Sequence, residues 1–110
     1  MKTGELTGAA LDWAVAKCEV GEEFIGEIDD PHFYSTDWAQ GGAIIEHEQI
    51  SVWVYQWNDQ GDLENGWYAE AKDGDHVQSG TTPLIAAMRC YVASKLGDDV
   101  EIPVSLNKGE

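Results

Sequence analysis

The segment Gly80-Thr-Thr-Pro-Leu-Ile-Ala-Ala-Met-Arg-Cys-Tyr-Val-Ala-Ser-Lys-Leu-Gly97 carries start, body and stop signals for one helix, and it constrains the fold more than any other stretch. Thr82 suits the N-cap. Pro83 has the fixed φ of the first helical position and loses no needed N–H there, and Gly97 can take the left-handed backbone that ends a helix. Leu84, Ile85, Met88, Val92 and Leu96 recur at three- and four-residue steps, with Tyr91 at the stripe's edge, so this face must be buried. Lys95 falls in the last turn, where a cation complements the helix dipole. At the other end, the free N–H groups around Thr81 and Thr82, preceded by Gly80, are attractive to an anion.

What packs on this helix is bounded by length and charge. A chain of 110 residues is one domain, residues 1–110, with room for a single core. Its net charge of −15, from 21 acidic and 6 basic residues, opposes nucleic acid and anionic membranes and suits a basic protein partner. No apolar run is long enough to span a membrane, and Met-Lys-Thr-Gly-Glu-Leu at the start lacks the apolar centre of a signal peptide. The expected address is the cytosol. Cys18 and Cys90 each fall in an expected helix and read as free buried thiols of a reducing compartment.

A first helix is expected over about Gly8 to Cys18, after an extended lead-in at Thr3 to Leu6. Thr7 would cap it, and Leu6 with Leu11 has the spacing of a hydrophobic staple. Leu11, Ala14, Val15 and Cys18 continue the apolar stripe, Asp12 and Lys17 face water, and Trp13 either packs at the edge under a neighbouring segment or contributes to an interface or pocket wall. From Gly21 to Gly42 the helical period is lost. Phe24, Ile25 and Ile28 suit a short extended segment, and Asp29-Asp-Pro-His32 reads as a turn. Tyr34-Ser-Thr-Asp-Trp-Ala-Gln-Gly-Gly42 reads as an irregular loop, either packed down by its own aromatics or binding a ligand. Ser35, Thr36 and Asp37 can serve local backbone groups in either case, and Gly41 and Gly42 permit close backbone approach.

Strand character follows. Ala43-Ile-Ile-Glu-His-Glu48 and Ile50 to Trp57 are rich in β-branched and aromatic residues. In the second run Ile50, Val52, Val54 and Gln56 alternate with Ser51, Trp53, Tyr55 and Trp57, so the second face carries aromatics that need cover. Asn58 to Gly66 is a polar turn, Trp67 to Ala71 the returning strand, Asp73-Gly-Asp75 another turn, and His76 to Ser79 a further extended piece. Asp98 to Leu106 is at most a short edge strand, because Pro103 cannot donate to a ladder. The architecture expected is α+β: a small, mainly antiparallel sheet packed with two α-helices. A homo-oligomer would cover the aromatic side of the sheet.

Catalytic and metal motifs are weak. There is no nucleophile elbow, phosphate loop or dinucleotide fingerprint, and His47 and His76 are isolated as ligands. In a strand, His47 would point away from Glu46 and Glu48. Asp73-Gly-Asp75 lacks the rest of a calcium loop. The reading is a non-enzyme without cofactor or metal.

Three runs carry a resemblance: Glu5 to Lys17, Tyr34 to Gly42 with Ile44-Ile-Glu46, and Thr82 to Asp98. They resemble a family of small bacteriophage and prophage proteins labelled NinX-like. In that family a proline often follows the Gly-Gly pair and an Arg stands between the two glutamates, where this chain has Ala43 and His47. The resemblance implies a viral accessory protein acting in the cytoplasm of a bacterial host, and it assigns no chemistry.

Two functions fit such a domain. One is an oligomeric binding module that sequesters a small nucleotide-like host molecule, such as an antiviral signal. Its ligand loop would be Tyr34, Ser35, Thr36, Asp37, Trp38 and Gln40, a base would stack on Trp38, Trp67 or Tyr68, and Gly80, Thr81, Thr82 and Arg89 would meet a phosphate. The other is an acidic decoy that inhibits a host protein by covering a basic surface or mimicking nucleic acid.

Overall fold

The computed structural model of the chain describes residues 1–21, 33–59 and 62–103, with 55–59 and 62–65 described through their backbone alone. The extended segment expected around Phe24 to Ile28, the turn at Asp29 to His32 and the chain's last residues lie outside the described residues.

The helix signalled most strongly in the sequence forms over Pro83–Leu96, here α3. Thr82 Oγ1 accepts the Ile85 N–H at 3.1 Å, as an N-cap should. At the other end Gly97 has φ +89° and its N–H donates to Ala93 O at 2.9 Å, a conformation that side chains disfavour. Leu84, Met88, Tyr91 and Val92 of the stripe are buried as expected, Ile85 and Leu96 pack half-buried at its two ends, and the burial goes further. Ala86, Ala87, Cys90 and Ala93 are also at most 1% exposed, because small residues on the remaining faces let neighbours close in. The helix touches every other element of the fold.

On one side lies a three-stranded antiparallel sheet in the order β1-β2-β3, made of Ser51–Asp59, Asp62–Glu70 and Val77–Gly80. Alternation decides which face meets α3: Ala69 and Ala71 are buried, Val52 and Trp67 pack half-buried beside them, and Ile50 joins from just before β1. On the opposite face Trp53 is 40% exposed, its ring 5.8 Å from that of its cross-strand partner Tyr68 and tilted by 36°. β3 pairs with β2 only over Trp67 to Glu70. Beyond that, five pairs from Tyr55↔Gly66 to Asp59↔Asp62 continue as a two-stranded ribbon.

The other side of α3 is covered by helices. α1 spans Gly8–Val20, and Leu6 and Leu11, the expected staple, are both fully buried in the core. Thr7 makes no side-chain cap bond, so that part of the expectation is corrected. Its hydroxyl leaves the start of α1 uncapped, while its carbonyl accepts the Leu11 N–H at 3.3 Å. Asp12 is a second correction, being buried rather than facing water. Lys17 lies over the Trp13 ring, 5.5 Å from its centroid, and Trp13 packs half-buried at the core's edge as expected.

The lead-in before α1 is a 3-10 turn at Thr3–Glu5 rather than an extended segment. The buried Thr3 fixes it, its N–H donating to Asp98 O at 2.8 Å and its hydroxyl to Gly97 O at 2.7 Å. Lys2 and Asp99 form an antiparallel bridge, so the segment after α3 pairs with the chain's start. Both thiols are free, with Cys90 buried.

The largest departure is a third α-helix, α2, over Trp38–Glu48. This stretch was expected as the end of a loop and a strand. The α+β class stands, with three α-helices among the described residues rather than the two expected. Asp37 caps α2, accepting the Ala39 N–H at 2.9 Å. Consequently Glu46, His47 and Glu48 do not alternate across a strand: His47 Nδ1 lies 3.1 Å from Glu48 Oε2 on the helix's last turn.

Candidate functional site

The site is built where α2 and α3 begin. Before α2, the Thr36 and Asp37 N–H groups both donate to Phe33 O, at 3.1 and 2.7 Å, which folds 33–37 into a tight turn. Gln40, at the third helical position, reaches back: its Oε1 accepts the Phe33 N–H at 2.9 Å and its Nε2 donates to Asp37 Oδ2 at 3.3 Å. Beneath, the Ser35 N–H donates to Asp12 Oδ1 at 2.8 Å in a buried pair that ties the turn to α1. A Cβ on Gly41 would sit 2.2 Å from Tyr34 O and 2.7 Å from Leu84 Cδ2. Only glycine lets α2 close on the turn and on α3.

That closure places Trp38 beside the start of α3. Ser35, Thr36 and Trp38 on one side, with Thr82, Pro83 and Leu84 on the other and Ile85 below, line a cleft of about 230 Å³. Trp38 is 55% exposed. Four residues expected at a ligand site, Ser35, Thr36, Trp38 and Thr82, therefore come together from distant parts of the chain.

The others do not join them. Tyr34 and Gln40 open on a separate cleft. Trp67 packs half-buried against the core and does not line the cleft, and Tyr68 is on the far side of the sheet. Gly80 is required for packing, since a Cβ there would lie 2.7 Å from Ala86 N. Arg89, expected to meet a phosphate, is half-buried. Its Nε donates to Leu6 O and its Nη1 to Ser79 O, both at 2.8 Å, because the lead-in and β3 bring two backbone carbonyls to it. Burial lowers its pKa. It ties α3 to its neighbours. Thr81 stays exposed beside the cleft, while Asp37 is occupied by its capping bonds.

The start of α3 offers few donors. Pro83 has no N–H, Ile85 N–H is taken by Thr82 Oγ1, and Ala86 N–H by Thr82 O at 3.0 Å. What remains is the Leu84 N–H with the Thr81 and Thr82 hydroxyls, enough for one small anionic or polar group. A flat ring can stack on Trp38 above them.

The family model described as Bacteriophage P22, NinX matches residues 2–95 of the chain. The chain belongs to this NinX family. Among curated proteins, none matches it. The matched span of this NinX-family chain includes both walls of the Trp38 cleft.

A larger cleft of about 600 Å³ lies between the three helices, with Tyr34 and Gln40 at its rim and Glu19, Glu48, Tyr91 and Lys95 in its walls. Tyr91 OH donates to Glu19 Oε2 at 2.5 Å. Burial and then this carboxylate push the Tyr91 phenol up, and burial with Glu19 and Asp12 does the same to Tyr34. Lys95 Nζ lies 3.3 Å from Glu48 Oε1 and 5.8 Å from the Tyr91 ring centroid. Burial raises Glu48, but hydrogen bonds from His47 and Lys95 outweigh it and hold the carboxyl below its ordinary value. Sequence reasoning placed none of these four walls at a ligand site, for they meet only through helix packing. Its charges answer one another, so the cleft presents less unmet chemistry than the exposed Trp38. Among the described residues, no group of three or more His, Cys, Asp or Glu could hold a metal ion, and no helix is long and apolar enough to cross a membrane.

Proposed function

We propose that the chain is a phage accessory protein that works by binding, without catalysis, a small nucleotide-like molecule in the cleft between α2 and α3. Held there, the ligand is withheld from a host receptor in the bacterial cytoplasm. The observation that carries this reading is Trp38, 55% exposed and next to the Thr82 end of α3. A tryptophan so open offers a stacking surface for a base, and the Thr81 and Thr82 hydroxyls offer donors to one phosphate oxygen. The net charge of −15 opposes an anion in general, but fields fade over a screening length of about 8 Å, and local donors decide within it. Asp37, the acidic group nearest in sequence, already has both oxygens engaged.

Calorimetric titration with adenosine monophosphate and a cyclic dinucleotide tests this. Trp38→Ala should weaken binding by about 10- to 100-fold, the worth of one stacked base. Thr81→Ala should weaken it by about 2- to 10-fold, the worth of one hydrogen bond, without touching the helix cap. Arg89→Ala is not a useful probe, since it would release the carbonyls of Leu6 and Ser79. Absence of heat with both probes would refute the ligand reading. The net charge then favours an acidic decoy for a basic host protein, whose binding would weaken steeply with salt and survive Trp38→Ala.

A further inference from the structure

We propose that β1 is an interface strand: two copies of the chain pair along its free edge, antiparallel, to form one continuous six-stranded sheet. The proposal rests on β1 and is independent of the ligand cleft. Sheet order puts β1 at an edge, and among the described residues it pairs with β2 alone. Its nine residues run in unbroken one-to-one register with β2, so no bulge twists the edge away. Ser51 to Asp59 contains no Pro, Lys or Arg, and its single charge is the last residue, Asp59. Natural sheets guard a free edge with those devices or by keeping the strand short. The opposite edge, β3, is short, with four residues. β1 is long and unguarded. Its distal half belongs to the ribbon that β3 does not reach, and a two-stranded ribbon is marginal in water by itself. Pairing two copies sets that half against the other copy's residues 51–54, which β2 and β3 back, and so makes it five-stranded.

Charge selects a second copy as the occupant and places it. Two chains of net charge −15 repel over most of their surfaces. Gln49 to Asn58 is a ten-residue run without Asp, Glu, Lys or Arg, and it covers nearly the whole of β1. Full overlap of two antiparallel β1 strands centres the two-fold axis on Tyr55. Ser51 then faces the other copy's Asp59, Val52 faces Asn58, Trp53 faces Trp57 and Val54 faces Gln56, and no pair brings like charges together. Such an interface is isologous: it uses up both free β1 edges and closes at two copies.

Light scattering on the full chain at micromolar concentration should give twice the 12.1 kDa of one copy. Val54 is 52% exposed, so Val54→Asp leaves the core intact while adding charge beside the axis. It should raise the dimer dissociation constant about tenfold, with circular dichroism unchanged. In a Cys18→Ser background, Tyr55→Cys should form an intermolecular disulfide on mild oxidation, whereas Trp53→Cys should not, because its counterpart lies at position 57. A monomeric wild type overturns the proposal, including the case in which the chain's own residues cover the edge. So does a dimer that withstands Val54→Asp and gives no Tyr55→Cys cross-link, which would mean association through another surface.

Discussion

Asp12 shows what a helical repeat can and cannot reveal. Its place opposite the apolar stripe of α1 reads as a water-facing position, yet it is 7% exposed and accepts the Ser35 N–H at 2.8 Å. The partner is a backbone group 23 residues away, and no local pattern announces it. Arg89 is hidden from a local pattern for the same reason, since its acceptors at Leu6 and Ser79 come from other elements. A buried N–H that loses its only acceptor costs about 1–3 kcal/mol, more than an ordinary hydrogen bond adds. Asp12→Leu should therefore destabilise the chain by about that amount, whereas Asp12→Asn, which keeps an acceptor oxygen, should cost less. Urea unfolding of the two variants measures the difference. Equal losses would show that charge rather than the Ser35 bond matters there.

At the scale of elements, α3 was legible because cap, stripe and stop all lie within its own sequence. α2 was not, because its local preferences conflict. Gly41 and Gly42 each disfavour a helix by about 1 kcal/mol relative to Ala, and Ile44 and Ile45 favour a strand. One signal was available: Asp37 followed three residues later by Gln40 is a capping pattern, and the structure uses both side chains. The half of the candidate site on α3 was read correctly as a helix start, while Trp38 was placed on a loop. Tertiary contact settles the conflict, and it does so differently at the two glycines. A Cβ on Gly41 would strike Tyr34 O at 2.2 Å, but one on Gly42 would meet Trp38 Cε3 at 3.4 Å, an ordinary contact. Gly41→Ala should thus destabilise by about 1–3 kcal/mol through overpacking, and Gly42→Ala should stabilise by up to about 1 kcal/mol. Chemical denaturation of both variants checks the opposite signs. A shared sign would mean that helix propensity alone, or packing alone, governs α2.

For the whole molecule, a composition of 21 acidic against 6 basic residues was plain from the start, but its effect on buried acids needs the packing. Burial, and then Glu19, push the Cys18 thiol up from 9.0 to about 12, while burial followed by Asp73 and Glu70 take Cys90 from 9.0 to about 12. Tyr34 and Tyr91 rise from 10.0, again by burial first and carboxylates second. In the unfolded chain these groups release their protons near their ordinary values, whereas in the folded chain they keep them to higher pH. Above about pH 9 the unfolded state therefore binds fewer protons than the folded state, and linkage makes stability fall as pH rises. The contribution is complete below that pH and is lost through the interval up to about pH 12 for the thiols. Thermal unfolding followed by circular dichroism should show a steady fall in Tm from about pH 9 to about pH 11. Replacing both thiols, Cys18→Ala with Cys90→Ala, should make that fall shallower while lowering Tm at neutral pH, because one buried and one half-buried side chain are trimmed. A wild-type Tm that stays level across the interval would show that the thiols and phenols ionise in the folded chain as readily as in water.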